Sequence, residues 1–234
     1  VYAPTQEPRG RPATLAPEHL VYCIQNHDQV GNRAFGTRLT DSISKEAFAG
    51  ATLLLLFLPA VPLLFMGQEW AATTPFLYFT DHEAELGAAV TRGRREEFKR
   101  FRAFQDPTLR EQIPDPQAAS TFERSKLNWS EVTRGPHAEV LSLYRNMLRL
   151  RAQDPVLATP AAVRAAAEGD LLVVTREQAS ARRIMLFNCS DAPLSDRRLS
   201  DSSHIVLASM RIERGVLPPW SAVLLDDHGR DRLV

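Results

Sequence analysis

The sequence predicts an α/β fold followed by a small antiparallel β domain. In the first half, a long apolar segment with the signals of a helix lies between two short, continuous apolar runs. Such runs, when a helix joins them, are typical of parallel strands that are covered on both faces. After residue 155, short β-rich runs alternate with Gly, Pro, Ser and Asp, which is typical of a β-sandwich. We therefore predict two domains, residues 1–155 and residues 156–234.

The first predicted strand ends abruptly in polar residues. Residues 21–25 open with the apolar run Val-Tyr-Cys-Ile and are predicted to form this strand. The sequence Asn-His-Asp-Gln follows at 26–29 without a hydrophobic residue among its members, and Gly31 is typical of a turn. Amide, imidazole and carboxylate groups so close to the end of a strand mark a candidate site.

A helix and a second strand follow. Ser44 suits the N-cap position, and Glu46 would lie in the first turn. Pro59 would follow the last turn, so we predict a helix over residues 45–58. Its residues are apolar on nearly every face, which predicts deep packing. The unbroken apolar run at 61–66 predicts the second strand.

This region also contains 21 consecutive uncharged residues, from 47 to 67. About 20 apolar residues are enough to cross a bilayer, so a membrane span is the alternative interpretation. Pro59 and Pro62 divide the stretch into two pieces. We therefore favour a buried helix followed by a buried strand, and we expect no membrane partner.

A right-handed crossover would place both strands in one sheet, with their carboxyl ends at the same edge. Ligands bind at that edge in α/β proteins. The polar row at 26–29 and the Gln-Glu-Trp sequence at 68–70 would then share the edge. Asp28 and Glu69 could lie within several ångströms, as paired carboxylates do in glycoside hydrolysis. The alternative is that Asp28 closes a turn and that Glu69 is simply exposed.

Several side chains near these carboxylates have more than one interpretation. Aromatic residues could form either a sugar-stacking rim or a core patch under a long loop; they are Trp70, Phe76, Tyr78 and Phe79. His27 has no His or Cys nearby, which argues against a metal site, and we predict no metal or cofactor.

Residues 67–136 are predicted to be mostly irregular. A charged segment at 92–101 is the exception and predicts a short helix. Its arginines resemble a phosphate patch, but two glutamates follow directly, so we favour a solvated helix; the residues are Arg92, Arg94, Arg95, Glu96 and Glu97. Apolar residues along one face then predict an amphipathic helix over 137–152.

Charge and cysteine content exclude several classes of protein. The 28 basic residues balance the 28 acidic residues, so no long-range field favours nucleic acid or an anionic membrane. Cys23 and Cys189 are the only cysteines, and both lie in apolar runs. Buried thiols in a reducing compartment explain them better than a disulfide, so we expect a cytoplasmic protein.

Four segments carry a resemblance to a known family. QNHDQVGNRAFGTRL resembles the Asn-His-Asp segment of the α-amylase superfamily, in the form seen in malto-oligosyltrehalose trehalohydrolases. PLLFMGQEWAATTPFLYFTDH resembles the next segment of that family, and GRREEF with TFERSKLNW continues the likeness. The resemblance covers roughly residues 8–155.

The resemblance implies specific roles. Asp28 would be the carboxylate that stabilises the transition state, and His27 would bind hydroxyl groups of the same sugar. The other residues implied in substrate binding are Gln25 and Asn26, which would hold the loop, and Glu69, Trp70 and Phe76, which would border neighbouring subsites. Pairing Asp28 with Glu69 as nucleophile and acid does not fit these implied roles.

The resemblance also implies that part of a barrel is absent. The family fold is a (β/α)8 barrel of about 250 residues, and we count two strand-helix units. They would be the last two units, and an N-terminal barrel segment carrying the nucleophile and the acid would be missing. The implied activity cleaves the α-1,4 bond next to the trehalose end of maltooligosyl-trehalose. Alternatives are a glucan branching enzyme, another superfamily member, or a non-catalytic carbohydrate-binding remnant.

Overall fold

A computed structural model describes residues 15–101, 104–201 and 204–227. The start of the first predicted domain, 1–14, and the end of the second, 228–234, lie outside the described residues. The first strand, β1 (Val21–Tyr22), is followed by a short helix, α1 (His27–Gly31), and a long one, α2 (Lys45–Phe57). Strand β2 (Val61–Pro62) then pairs with β1 in parallel. The predicted parallel pair joined by a helix is confirmed.

Both strands are shorter and more exposed than predicted. The ladder consists of Val21 opposite Val61 and Tyr22 opposite Pro62, and most of these side chains are open to solvent. The predictions of a strand over 21–25, a strand over 61–66 and burial on both faces are therefore wrong. Among the described residues each strand has a single neighbour, so a backbone ladder forms along one edge only.

Helix α2 begins and ends where its sequence signals predict. The Ser44 side chain accepts a hydrogen bond from the Ala47 amide at 3.1 Å, as an N-cap does. Phe48, Leu53 and Phe57 are among its buried residues, so the predicted deep packing is confirmed. No helix within the described ranges is long and apolar enough to cross a membrane.

The region after β2 contains more helix than predicted. Helix α3 (Ala84–Phe98) includes most of the charged segment, and two short helices follow, α4 (Pro107–Glu111) and α5 (Ala119–Glu123). The expectation of a solvated charged helix is wrong for Arg94, which is buried. The predicted amphipathic helix is confirmed as α6 (Gly135–Gln153), one to two residues longer at each end.

The last part of the chain forms an antiparallel sheet, as predicted. Within the described residues its strands are β3 (Ala162–Glu168), β4 (Leu171–Gln178), β5 (Ala181–Asn188), β7 (Ile205–Ala208) and β9 (Ala222–Asp227). These five strands have the order β3-β4-β5-β9-β7. Strands β6 (Leu194–Ser195) and β8 (Val216–Leu217) form a second, two-stranded sheet. An α/β fold with an antiparallel sheet is thus confirmed.

The five-stranded sheet is covered on both faces. Along β5, Met185 and Phe187 pack into one cluster with residues of α2 and α6, whereas Ile184 and Leu186 pack into a second cluster with Leu217 of β8. This alternation follows from the two-residue period of a strand. Because the first cluster joins α2 to the sheet, the two parts of the chain share one apolar core.

The cysteines differ from the prediction. Cys189 is exposed, just past the end of β5, and Cys23 is half-buried. Both thiols are free. The expectation of buried thiols is therefore wrong for Cys189, because this residue lies beyond the end of the central strand β5 and is open to solvent.

Two arginines bind backbone carbonyls at the end of α2. Arg151 of α6 donates to the carbonyls of Leu56, Leu58 and Ala60. Arg176 of β4 donates to the Phe57 carbonyl at 2.8 Å and to the Thr159 carbonyl at 2.8 Å. Burial lowers the pKa of Arg176 to about 10. The carbonyls of Leu56 and Phe57, at the end of the helix, have no partner within it, so the two guanidinium groups satisfy them. Arg176 thereby joins the sheet to α2, and Arg151 joins α6 to it.

We expect Arg176→Met to destabilise the protein by about 2 to 4 kcal/mol, because it leaves buried carbonyls without a donor. The measurement is the midpoint of thermal unfolding, which should fall by several degrees. Arg164→Met, an exposed arginine on the adjacent strand β3, is the matched control and should change the midpoint little. Equal midpoints for the two variants would contradict this role of Arg176.

Candidate active site

The polar row after β1 forms the start of helix α1. The Asn26 Oδ1 atom accepts hydrogen bonds from the amides of Asp28 at 2.9 Å and Gln29 at 3.2 Å, so Asn26 is the N-cap. Gln25 is buried, and its Oε1 atom accepts from the Leu39 amide at 3.0 Å. Both side chains are used by backbone groups of the loop.

His27 and Asp28 point into solvent from the first turn of α1. Each side chain is 71% exposed, and His27 Nε2 lies 3.4 Å from Asp28 Oδ1. An exposed pair of this kind adds little stability. The arrangement leaves a carboxylate and an imidazole open to a ligand.

The segment after β2 is held in an unusual backbone conformation. Gly67 has φ 81° and Ala71 has φ 53°, on either side of a single 3-10 turn at Gln68–Trp70 that carries the half-buried Glu69. A non-glycine residue in this region is strained and persists only when its surroundings fix it. Such strain is common at functional sites.

The loop at 67–74 is fixed from several directions. Arg38 donates to the carbonyls of Met66 at 2.9 Å and Thr74 at 2.6 Å. The Glu131 carboxylate accepts from the Thr73 amide at 3.1 Å and also from the Thr73 hydroxyl. The His137 Nδ1 atom lies 2.8 Å from the Trp70 carbonyl oxygen.

The two charged residues that hold this loop, Arg38 and Glu131, are both buried. Burial lowers the pKa of Arg38, although the charges of Asp41, Glu69 and Glu131 oppose this shift. Burial alone would raise the pKa of the Glu131 carboxyl, but hydrogen bonds from Thr73 bring it below its ordinary value.

Tyr144 of α6 supports the loop from below. Its hydroxyl accepts from Gln68 Nε2 at 2.7 Å and from the Thr52 hydroxyl at 3.1 Å. Burial of the phenol raises the pKa of Tyr144 to about 12. The phenol therefore stays protonated at neutral pH, and it holds the loop through neutral hydrogen bonds.

Trp70 and Trp129 form a tilted aromatic pair of which only one ring is open. Their ring centroids are 5.0 Å apart with planes at 40°. Trp70 is only 2% exposed, whereas Trp129 is 68% exposed. Trp70 thus presents no open face within the described part of the chain, so burial does not support direct stacking of Trp70 on a sugar. Trp129 was not predicted as a site residue.

Phe76 packs beside α1 in a row of aromatic rings. Its ring centroid lies 5.1 Å from that of Phe65 and 5.7 Å from that of Phe79, both with edge-to-face geometry. A Cβ atom on Gly31 would lie 3.6 Å from the Phe76 ring, so the ring touches the end of α1. Substrate contact by Phe76 stays a prediction.

The parallel pairing of β1 with β2 places the carboxyl ends of both strands at one edge, as predicted. Clefts of about 560 Å³ beside β7 and about 400 Å³ between α3 and residues 115–117 lie elsewhere, and no predicted site residue lines them. Within the described ranges, no cluster of three or more His, Cys, Asp or Glu residues could hold a metal ion. At the candidate site itself, the side chains of His27 and Asp28 are open to solvent.

Curated proteins of one name match the sequence. Malto-oligosyltrehalose trehalohydrolase from Deinococcus radiodurans is 48% identical over 185 residues, which are 77% of this chain and 30% of that protein. The protein of the same name from Rhizobium sp. is 40% identical over 228 residues, which are 93% of this chain and 37% of that protein. The chain is a relative of the malto-oligosyltrehalose trehalohydrolases. It spans about a third of the length of these trehalohydrolases.

Solved structures agree with the trehalohydrolase relationship at the level of the fold. A Salmonella typhimurium protein, provisionally named an alpha amylase, has a TM-score of 0.76 and 32% identity, covering 90% of this chain and 35% of that chain. Isomaltulose synthase from Klebsiella sp. LX3 has a TM-score of 0.54, covers 88% of this chain and 42% of that chain, and at 17% identity shows the fold alone. No protein-family model matches the sequence.

Arg38, Glu131 and Trp129 were missed as residues that build this site. All three act across long stretches of sequence, so the spacing of residues gives no sign of their contacts. The one available signal was the resemblance to trehalohydrolases, since QNHDQVGNRAFGTRL contains Arg38 and TFERSKLNW contains Trp129.

Proposed function

We propose that this chain is the C-terminal portion of a glycoside hydrolase that releases trehalose. The reaction would be cleavage of the α-1,4-glucosidic bond next to the trehalose end of maltooligosyl-trehalose. The observation that carries the proposal is the identity of 40–48% to malto-oligosyltrehalose trehalohydrolases, which reaches 93% of the chain for the Rhizobium protein. The exposed His27–Asp28 pair at the carboxyl end of β1 fits a substrate site. No cofactor is proposed.

In this proposal, β1 and β2 are the seventh and eighth strands of a (β/α)8 barrel, and α6 is its closing helix. Residues 156–234 form a C-terminal β-sandwich domain. The exposed apolar side chains of the parallel strands and of the residue after β2 support this, because a missing neighbour would cover them; they are Val21, Tyr22, Val61 and Leu63. The partner of the chain is then the missing N-terminal barrel segment. The two free thiols support a reducing, cytoplasmic location.

Asp28 would act as the transition-state stabiliser, without attacking the substrate itself. Its exposed carboxylate would hydrogen-bond sugar hydroxyl groups and oppose the positive charge that develops on the sugar ring. His27, 3.4 Å away, would bind hydroxyl groups of the same sugar. Glu69 would border a neighbouring subsite on the loop that Arg38 and Glu131 hold in place.

The proposal is tested by substrate preference. The complete protein, including the barrel segment, is incubated with maltooligosyl-trehalose or with a linear α-1,4-glucan of equal length, and free trehalose and new branch points are measured. We expect trehalose from the first substrate and little reaction with the second. Branch points formed from the linear glucan would identify a branching enzyme instead, and binding without any turnover would identify a carbohydrate-binding remnant.

We predict different effects for substitutions of the two tryptophans, because one ring is open and the other is buried. Trp129→Ala should raise KM several-fold with a smaller effect on kcat, because the loss of an open stacking face costs about 1 kcal/mol. Trp70→Ala should instead lower the thermal unfolding midpoint by several degrees, because it leaves a buried cavity. The measurements are steady-state kinetics and thermal unfolding of the complete protein. An unchanged KM for Trp129→Ala would exclude this ring as a substrate contact.

A further inference from the structure

Arg94 of helix α3 binds the end of the helix that carries Asp28. Its Nη2 atom donates to the Gly31 carbonyl at 2.6 Å and to the Arg33 carbonyl at 3.1 Å. The residue is 8% exposed, although the segment around it is rich in charge. A buried arginine nitrogen that donates to two carbonyls of one backbone turn fixes that turn.

Two aromatic rings hold the guanidinium of Arg94. The Cζ atom lies 4.4 Å from the centroid of the Tyr78 ring and 5.2 Å from that of Phe98. Contacts of this kind attract a cation and restrict its position. Burial lowers the pKa of Arg94, while Glu97 and Tyr78 oppose the shift, and an arginine stays charged in any case.

Helix α1 needs these contacts because it is one turn long. It spans five residues, so its own hydrogen bonds stabilise it weakly, and its last carbonyls have no partner within the helix. Asn26 caps the first turn, and the Arg94 cation binds the last residue, Gly31, where the helix dipole is negative. The backbone of Asp28 is therefore fixed from both ends.

We propose that Arg94 is a positioning residue for Asp28. It holds α1 so that the Asp28 carboxylate faces the reacting sugar, and it acts on the reaction only through that carboxylate. This inference rests on the proposed function, because it assumes that Asp28 stabilises the transition state. It also assigns a role to the GRREEF segment, which the proposed reaction does not otherwise use.

The test is a double-mutant cycle in the complete protein. Arg94→Met removes the donors and keeps an apolar side chain between the rings. We expect it to lower kcat about tenfold with a much smaller change in KM, since a small displacement of a catalytic group is costly. In the Asp28→Asn background, the same change should lower kcat by less than about threefold, because residues that act as a unit are not additive.

Two further variants separate positioning from general damage. Arg92→Met changes an exposed arginine of the same helix and should leave kcat within about twofold of the original. Arg94→Lys keeps the charge and should retain part of the lost turnover. If Arg94→Met does not fold, the double-mutant cycle with Asp28→Asn is measured with Arg94→Lys instead. Every rate is measured below the unfolding transition of the variant.

The outcomes are distinct. If Arg94→Met lowers kcat by the same factor in the original protein and in the Asp28→Asn variant, the inference is overturned. The proposed function then stays intact. Equal losses from Arg92→Met and Arg94→Met would also overturn the inference. Near-normal turnover of Asp28→Asn by itself would overturn the proposed role of Asp28, and the positioning role would fall with it.

Discussion

Asp28→Asn should lower the turnover of the complete protein by about a hundredfold or more, with a far smaller change in KM. The substitution keeps the shape of the side chain and removes the negative charge that would oppose a developing oxocarbenium ion. The side chain is exposed and Asn26 caps the helix through its own oxygen, so the change leaves the local fold intact. The measurement is release of trehalose under steady-state conditions.

Asp170→Asn is the matched control for this variant. Asp170 is an exposed aspartate in the turn between β3 and β4, and its substitution removes the same charge far along the chain from the candidate site. We expect its kinetic constants to equal those of the unchanged protein. If Asp28→Asn and Asp170→Asn both change kcat only slightly, Asp28 is not a catalytic residue.

The regular elements were predictable wherever local signals and packing agree. Ser44 at the N-cap, Pro59 beyond the end and an apolar sequence between them gave α2 to within one residue. Short β-rich runs bounded by turn residues in turn gave β4 and β5, whose side chains alternate between two clusters. In these segments the chain's own propensity and its tertiary surroundings favour the same structure.

Elements that depend on distant contacts were not predictable. Helix α1 is too short for a periodic signal, and it is fixed by Arg94, more than sixty residues away in sequence. Strand β3 is rich in alanine, which favours helix, yet it pairs along its whole length with β4. The 67–74 loop is held by Arg38 and Glu131, neither of which adjoins it in sequence.

The proposed function further predicts that residues 1–234 alone release no trehalose. Retaining hydrolysis needs a nucleophile and an acid about 5 Å apart on either side of the bond. Under the proposed function, the nucleophile and the acid both belong to the missing barrel segment, and Asp28 supplies charge stabilisation only. Exposed apolar groups on β1 and β2 should also make the isolated chain poorly soluble, because unpaired strand edges associate.

Complementation makes this prediction decisive. The chain is expressed alone and together with a separate segment that supplies the first six strand-helix units, and trehalose release is measured in both cases. Activity should appear only in the combined sample, and Asp28→Asn in the short chain should lower it by about a hundredfold or more. Turnover by the short chain alone, lost on Glu69→Gln, would mean that Asp28 and Glu69 form the catalytic pair. The two segments after β1 and β2 would then hold the complete chemistry, and Glu69 would be the acid on the loop that Arg38 and Glu131 fix.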